Sequence, residues 1–226
     1  MNIVSTVDHL VIAAQSLAQG VEWCEAELGV TPQAGGEHPL MGTHNRVLRI
    51  STSQFARAYL EIIAIDPDAR DPGRTRWFDL DDPALREAIR QQPRLVHFVA
   101  GCELVAAGLR ALVPLGIDRG PVLAAQRDTP FGLLQWKISV RDDGQRLFYG
   151  ALPTLIEWGE LHPANFLPES GLKLLGLGAS HPRPDALRAA YGAIGLEGVT
   201  LQAGPPNLSA ALRTPRGEVI LESKGV

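Results

Sequence analysis

An α+β fold built on a tandem βαβββ unit is the architecture this 226-residue sequence predicts. Three observations point to it. Short apolar runs of strand character are interrupted by single helical patterns, one per group of strands. That grouping recurs along the chain. A His inside one strand is also followed by a Glu inside a later strand, and this happens twice: His9 with Glu61, then His97 with Glu157.

The first unit opens with a strand over residues 7–13. Ser16, with Gln19 three residues on, has the form of a capping box. Leu17, Val21, Cys24 and Leu28 follow at helical spacing, and Gly29 ends the helix. A polar loop leads to strands at 47–50 and 58–65. Residues 66–93, rich in Asp, Arg and Pro, read as a surface crossover. Asp82-Pro83 caps a short helix within it. The second unit opens with a strand at 95–100, followed by a helix carrying Val105, Leu109 and Leu112 on one face and stopped at Gly116. Strands are expected at 133–140, 145–149 and 154–158, with Asp142-Asp143-Gly144 as a hairpin signal. A connector over 163–171 leads to a third, shorter unit. It has a strand at 172–178 and a helix from Pro184 with Leu187, Ala190, Tyr191 and Ile194 as its apolar face. Short strands follow at 199–201, 209–213 and 218–222. The expected organisation is a first module over 1–66, a linker over 67–93, a second module over 94–162, the connector, and a partial third module over 172–226.

An apolar fraction of 45% with 20% charged residues is enough to build a substantial core. The net charge of −4, without any Lys/Arg-rich stripe, argues against nucleic acid or an anionic membrane as partner. Cys24 and Cys102 sit in apolar patterns and form no CxxC, so buried free thiols and a reducing, cytoplasmic setting are expected. No apolar run is long enough to span a bilayer. No GxSxG, GxxxxGK[ST], HExxH or strand-linked GxGxxG occurs.

The four ionisable residues carry the functional reading. Such groups in apolar strands are costly unless paired. Two His and two Glu also form a donor set that a divalent metal accepts. Strand alternation puts His9 with Val7 and Val11, Glu61 with Tyr59 and Ile63, and His97 with Leu95 and Val99. Leu10, Leu60, Phe98 and Trp158 are expected on the opposite face, beneath the helices. For His9 taken singly, a hydrogen-bonded structural histidine is an equal reading. His44 and Asn45 are candidates to reach a substrate oxygen, against a surface-loop reading. Trp136 and Lys137 offer an aromatic plate and a cation, against ordinary core packing. His38 is read as a loop residue, Asp79, Asp81 and Asp82 as solvated charges, and His162 and His181 are given no role.

Particular segments are similar to a known family. Val7-Asp8-His9-Leu10-Val11-Ile12, Gly42-Thr43-His44-Asn45-Arg46, Tyr59-Leu60-Glu61-Ile62-Ile63 and Leu152-Pro153-Thr154-Leu155-Ile156-Glu157-Trp158 resemble the glyoxalase-like branch of the vicinal oxygen chelate superfamily. The resemblance implies that two modules pair into a curved eight-stranded sheet forming a cup. It implies His9, Glu61, His97 and Glu157 as ligands of one divalent metal (Zn, Ni, Mn or Fe) at the base of that cup. The metal would act as a Lewis acid on a small oxygenated carbonyl compound, with Glu157 moving a proton, in a lyase or isomerase reaction. Glutathione dependence is left open. A sequestering protein for antibiotics or other small molecules, and an Fe(II) dioxygenase, are the alternatives. The third unit repeats a Glu at Glu222 but has Leu175-Gly176-Leu177 where the His should stand. It is expected to pack on the double module or to pair with a second copy, as a homodimer covering an open sheet edge.

Overall fold

The computed structural model describes residues 3–225. Its first module runs β1 (Ser5–Ala13), α1 (Leu17–Trp23, prolonged by one wider turn, Cys24–Leu28), β2 (Gln33–His38), β3 (Thr43–Arg49) and β4 (Tyr59–Ile65). A crossover carrying α2 (Pro83–Gln91) leads to β5 (Arg94–Cys102), α3 (Val105–Leu112), β6 (Val122–Thr129), β7 (Gly132–Ser139) and β8 (Thr154–Trp158). The last part is β9 (Lys173–His181), α4 (Pro184–Ala193), β10 (Val199–Ala203), β11 (Asn207–Thr214) and β12 (Gly217–Glu222). Both sequence-read caps hold. The Ser16 hydroxyl accepts from the Gln19 amide, and the Asp82 carboxylate from that of Leu85, with Pro83 in the first turn.

The first two modules share one curled sheet with strand order β2-β3-β4-β1-β5-β8-β7-β6. The order is symmetric about the central β1–β5 pair, which is antiparallel, while β1–β4 and β5–β8 are parallel. Curling brings the two edge strands together. A Cβ on Gly36 of β2 would lie 2.0 Å from Nη1 of Arg127 on β6, so the two edges are in side-chain contact there.

The convex face carries the main core. Leu10, Ile12, Leu60, Phe98 and Leu155 pack there against the helices and the third unit. The concave face carries a second cluster with Val11, Ile63, Val99, Ile138 and Ile156, roofed by Trp77 and Phe78 from the crossover.

The third unit has the βαβββ element order but a different topology. Its strands run β10-β9-β11-β12. The strand after the helix lies beside the first strand, whereas in the other modules it lies at the far edge. The unit packs on the convex face through Leu187, Ala190, Tyr191, Leu208, Ala210 and Leu212, and the Tyr191 hydroxyl donates to the Ala151 carbonyl at 2.6 Å. It lies behind the sheet, away from the concavity.

Three local expectations are corrected. Residues 33–38, read as a polar loop, form β2. Residues 122–129, unassigned from sequence, form β6. Both are edge strands with polar or small residues, and neither has the apolar alternation of a half-buried strand. Residues 145–149 are not a strand. They lead into a tight turn (Leu147–Gly150) in which Phe148, Tyr149 and Gly150 have positive φ. Asp142-Asp143-Gly144 accordingly joins no hairpin. No described helix is long and apolar enough to cross a membrane.

Candidate functional site

The concave face holds a buried acid–imidazole network, and a bulge in β1 creates it. Val7 lies opposite Ala100 and His9 opposite Val99, so Asp8 is the extra residue. A bulge turns successive side chains to one side, and both Asp8 and His9 serve the network. His9 Nδ1 donates to Asp8 Oδ1 at 2.7 Å. The other carboxylate oxygen, Oδ2, accepts from Trp158 Nε1 and from His162 Nε2, each at 2.9 Å. The His162 tautomer is set from behind, because its Nδ1 accepts from the Ala164 amide at 3.1 Å. Burial acts to raise the Asp8 pKa. The hydrogen bonds from His162 and His9 outweigh it and hold the carboxyl well below the usual range. Asp8 is therefore an anion at neutral pH that fixes the His9 ring, which also stacks on Tyr59 with centroids 4.5 Å apart.

Nε2 of His9 is left facing Glu61, whose Oε2 is 3.7 Å away. Glu61 is 5% exposed. Its other oxygen accepts from Asn45 Nδ2 at 2.5 Å. Asn45 is oriented in turn by the Gly36 amide, which donates to its Oδ1 at 2.7 Å. Asn45 Nδ2 also lies 3.4 Å from His38 Nε2, and His38 Nδ1 lies 3.1 Å from Thr43 Oγ1. Burial, opposed by the Glu61 charge, brings the His38 pKa down to about 4, so His38 is a neutral acceptor.

These groups open onto a cleft of about 500 Å³. Its walls include Trp77, Trp136, Trp158 and Leu134, and its mouth is flanked by Phe131 and Phe166, stacked at 4.5 Å. Arg127 also lines it, and Nη1 of that guanidinium is buried with no hydrogen-bond partner among the described residues. An apolar side lobe of about 300 Å³ continues past His38, Met41 and Leu123.

The second module does not mirror this site. Val11, two residues beyond His9, pairs with Glu61. Its counterpart Val99, two beyond His97, pairs with Thr154. The mate of Glu61 is thus Thr154. The second bulge in the β1–β5 pair falls at Val96, which makes Val96 the mate of Asp8. One module carries two carboxylates where the other carries a hydroxyl and an isopropyl group. His97 is completely buried. Its Nδ1 lies 2.9 Å from the Gly150 carbonyl, while its Nε2 accepts from the Thr154 amide at 3.1 Å and lies 3.0 Å from Thr154 Oγ1. Burial and the nearby Arg119 hold it neutral, with its pKa well below the ordinary value.

Several sequence assignments therefore change. Glu157 shares the convex face with Leu155. Its Oε2 accepts from the Val105 amide at 3.1 Å, at the start of α3, and its Oε1 from Lys137 Nζ at 2.7 Å. Glu157 and Lys137 are a helix cap and its counter-ion, turned away from the cleft. Trp136 and Trp158 are cross-strand neighbours in the cleft, with centroids 5.8 Å apart, so Trp158 is not beneath the helices. Asn45 does enter the site, but His44 points to the opposite face, 3.8 Å from Asp66. Asp8 and Arg127 were not singled out from sequence, and His38, read as a loop residue, and His162, given no role, both belong to the network. Trp77 and Phe78, which the expected linker delivers, were not singled out either.

Two neutral buried histidines have a consequence for stability. In the unfolded chain both bind a proton below about pH 6.5, while in the native state they do not. Stability should therefore fall as pH drops below 6.5. His38 contributes about 3 kcal/mol of that loss by pH 4, and His97 adds to it. Urea midpoints measured from pH 7.5 to 4.5 should decline steadily. A flat profile would contradict the neutral assignment.

The matching family model is that of the glyoxalase-like domain, over residues 7–195. The chain belongs to this family. The glyoxalase-like protein shares its fold with a hypothetical protein from Staphylococcus aureus (TM-score 0.61, 11% identity, covering 97% of this chain and 85% of that one). A Ser-to-Thr variant of Streptomyces coelicolor methylmalonyl-CoA epimerase in complex with 2-nitronate-propionyl-CoA matches at TM-score 0.43 and 19% identity, over 69% of this chain and 96% of that one. The epimerase from Mycobacterium tuberculosis gives 0.37 and 15%, over 67% and 85%. No protein of curated function matches.

Family members often hold a divalent metal, and the glyoxalase-like protein can be tested for the fit. The pseudo-symmetric donor set in this chain is His9, Glu61, His97 and Thr154. His97 has both ring nitrogens engaged with Gly150 and Thr154, and Glu157 lies across the sheet. The described residues form no group of three or more His, Cys, Asp or Glu able to hold a metal. The four-ligand site does not fit these residues.

Proposed function

We propose that the glyoxalase-like protein is an isomerase or lyase that moves a proton within a small, anionic, oxygenated carbonyl compound. His9 and Glu61 form its acid–base couple. The observation that carries this reading is the 3.7 Å separation of His9 Nε2 and Glu61 Oε2 at the base of the cleft, with each side chain fixed from behind. A reacting hydrogen or oxygen placed beside that gap reaches both groups. Asp8 holds the proton on His9 Nδ1 and so leaves Nε2 to exchange one with substrate. This is the role an orienting carboxylate plays in other Asp–His pairs. Asn45 holds Glu61 by one oxygen and leaves the other for the substrate.

Arg127 supports an anionic substrate. An unpaired guanidinium nitrogen in an aromatic cleft is a ready partner for a carboxylate. The tryptophan walls exclude water from the reacting carbon and strengthen each charge interaction there. No step in this scheme runs through a metal.

Proton NMR in D2O tests the scheme, with pyruvate and 2-oxobutyrate as probes and exchange of the hydrogens beside the carbonyl as readout. The wild-type protein should accelerate exchange. His9→Asn should lower the rate roughly 100-fold or more. Arg127→Met should raise the probe concentration needed for half-maximal rate. Exchange that is unchanged in His9→Asn would sink the scheme. Tight binding of aromatic compounds without any exchange would favour sequestration, which the tryptophan-lined cleft also suits.

A further inference from the structure

A second site lies beneath the other half of the sheet, independent of the proposed reaction. It is a void of about 10 Å³, lined by Arg119, Ser139, Thr154 and His97, with Arg141, Arg146 and Trp77 around it. Arg119 is 3% exposed. Its Nη2 donates to Thr154 Oγ1. Its Nε and Nη1 are buried and have no partner among the described residues.

The charges around it do not balance. Arg141 is held by Asp143, with Nε 2.9 Å from Oδ1, and Arg146 by Asp79, with Nε 2.9 Å from Oδ2. Each of those carboxylates answers its own arginine. Among the described residues no carboxylate lies within ion-pair distance of Arg119, and the neighbouring Asp118 binds the Gly120 amide instead. The hydrogen bonds of His97 leave it neutral. The residue that pairs with the central strand here is Thr154, where the first module has Glu61. A cation is therefore buried beside the place where the module's own carboxylate is missing. An uncompensated interior charge is strongly unfavourable, and an ion of opposite sign relieves it.

We propose that this void binds a monovalent, monatomic anion of chloride size, held by one unpartnered N–H of the Arg119 guanidinium and by the Ser139 hydroxyl. Ser139 Oγ accepts from the Leu155 amide at 3.2 Å and keeps its own proton free to donate. The volume is that of about one small sphere, too little for phosphate, sulfate or a carboxylate compound. The anion completes a chain from the Arg119 guanidinium through the Thr154 hydroxyl to His97 Nε2 and on to the Gly150 carbonyl. It would lock the turn that launches β8.

Thermal melts at constant ionic strength test this, with sodium chloride or bromide replacing sodium gluconate or sulfate. In the wild-type protein chloride and bromide should raise Tm saturably, by about 5 °C or more once the anion is some hundredfold above its Kd. Arg119→Gln, which keeps a donor for Thr154, should show no halide-specific rise. A second measurement needs no variant: chloride-35 NMR of the wild-type protein should show line broadening beyond that of free chloride, abolished by bromide. Equal melts in chloride and gluconate, or equal halide response in Arg119→Gln, or no broadening, would mean that only water occupies the void, and would overturn the proposal.

Discussion

Asp8→Ala is expected to cost about 3–5 kcal/mol of stability, the range found when one partner of a buried charged pair is removed. Three donors lose their acceptor together: His9 Nδ1, Trp158 Nε1 and His162 Nε2. The carboxylate and the two imidazoles are enclosed, with Asp8 at 4%, His9 at 4% and His162 at 1% exposure, and Trp158 is half-buried, so water cannot readily replace the carboxylate. For a chain of this length the loss corresponds to a drop in Tm of roughly 6–20 °C. Asp8→Asn keeps the shape and one acceptor oxygen and should fall between the two. The pH dependence separates a charge effect from a packing effect. The Asp8 carboxyl is held below its ordinary range in the native state, so its contribution is complete above about pH 4 and is lost as pH falls further. In Asp8→Ala the acid limb below pH 4 should flatten, while the earlier decline caused by His38 and His97 persists. Denaturant melts of both proteins from pH 7 to 3 measure it. A loss of less than about 1 kcal/mol would show that the network adds little beyond ordinary packing.

Much of this arrangement is legible in the bare sequence. Alternation of two places Leu10, Leu60 and Phe98 beneath the helices, where they are found, and His9 and Glu61 on the concave face. What alternation cannot show is a bulge. One extra residue at Asp8 puts that carboxylate into the His9 network, and one at Val96 turns Leu95 into the convex core instead of leaving it on the face of His97. The spacing itself held a warning. His9 and His97 are separated by 88 positions, but Glu61 and Glu157 by 96, so the two Glu cannot occupy equivalent places unless the second module carries an insertion ahead of β8. The left-handed turn at Phe148-Tyr149-Gly150 resets the entry of β8, and Thr154 falls at the equivalent position. Arg127 escaped notice, and His38 was read as a loop residue, for a different reason: both lie on or at the end of edge strands with little apolar pattern, and the curling of the sheet brings Arg127 into the same cleft as His38.

The two glutamates that look equivalent in sequence should behave in opposite ways. Glu61→Gln is expected to lower the exchange rate by roughly 10²–10⁴-fold, the usual contribution of a positioned acid–base group. Its effect on stability should be small, because the amide oxygen still accepts from Asn45 and no buried donor is stranded. Glu157→Gln is expected to leave the rate within about twofold of wild type, since the side chain faces away from the cleft and reaches neither reacting atoms nor their positioning groups. Its cost should appear in stability, about 1 kcal/mol for a weakened cap on α3, because Leu104 supplies no side-chain cap of its own. The ion pair with Lys137 adds little, being largely solvated on the lysine side. The pair of variants also separates this arrangement from the four-ligand site suggested by resemblance. If Glu157 held a metal ion with His9, Glu61 and His97, both substitutions would abolish exchange alike, and metal content would fall in both. Loss of activity in Glu157→Gln with its fold intact would therefore return that glutamate to the cleft and overturn the register drawn here for β8.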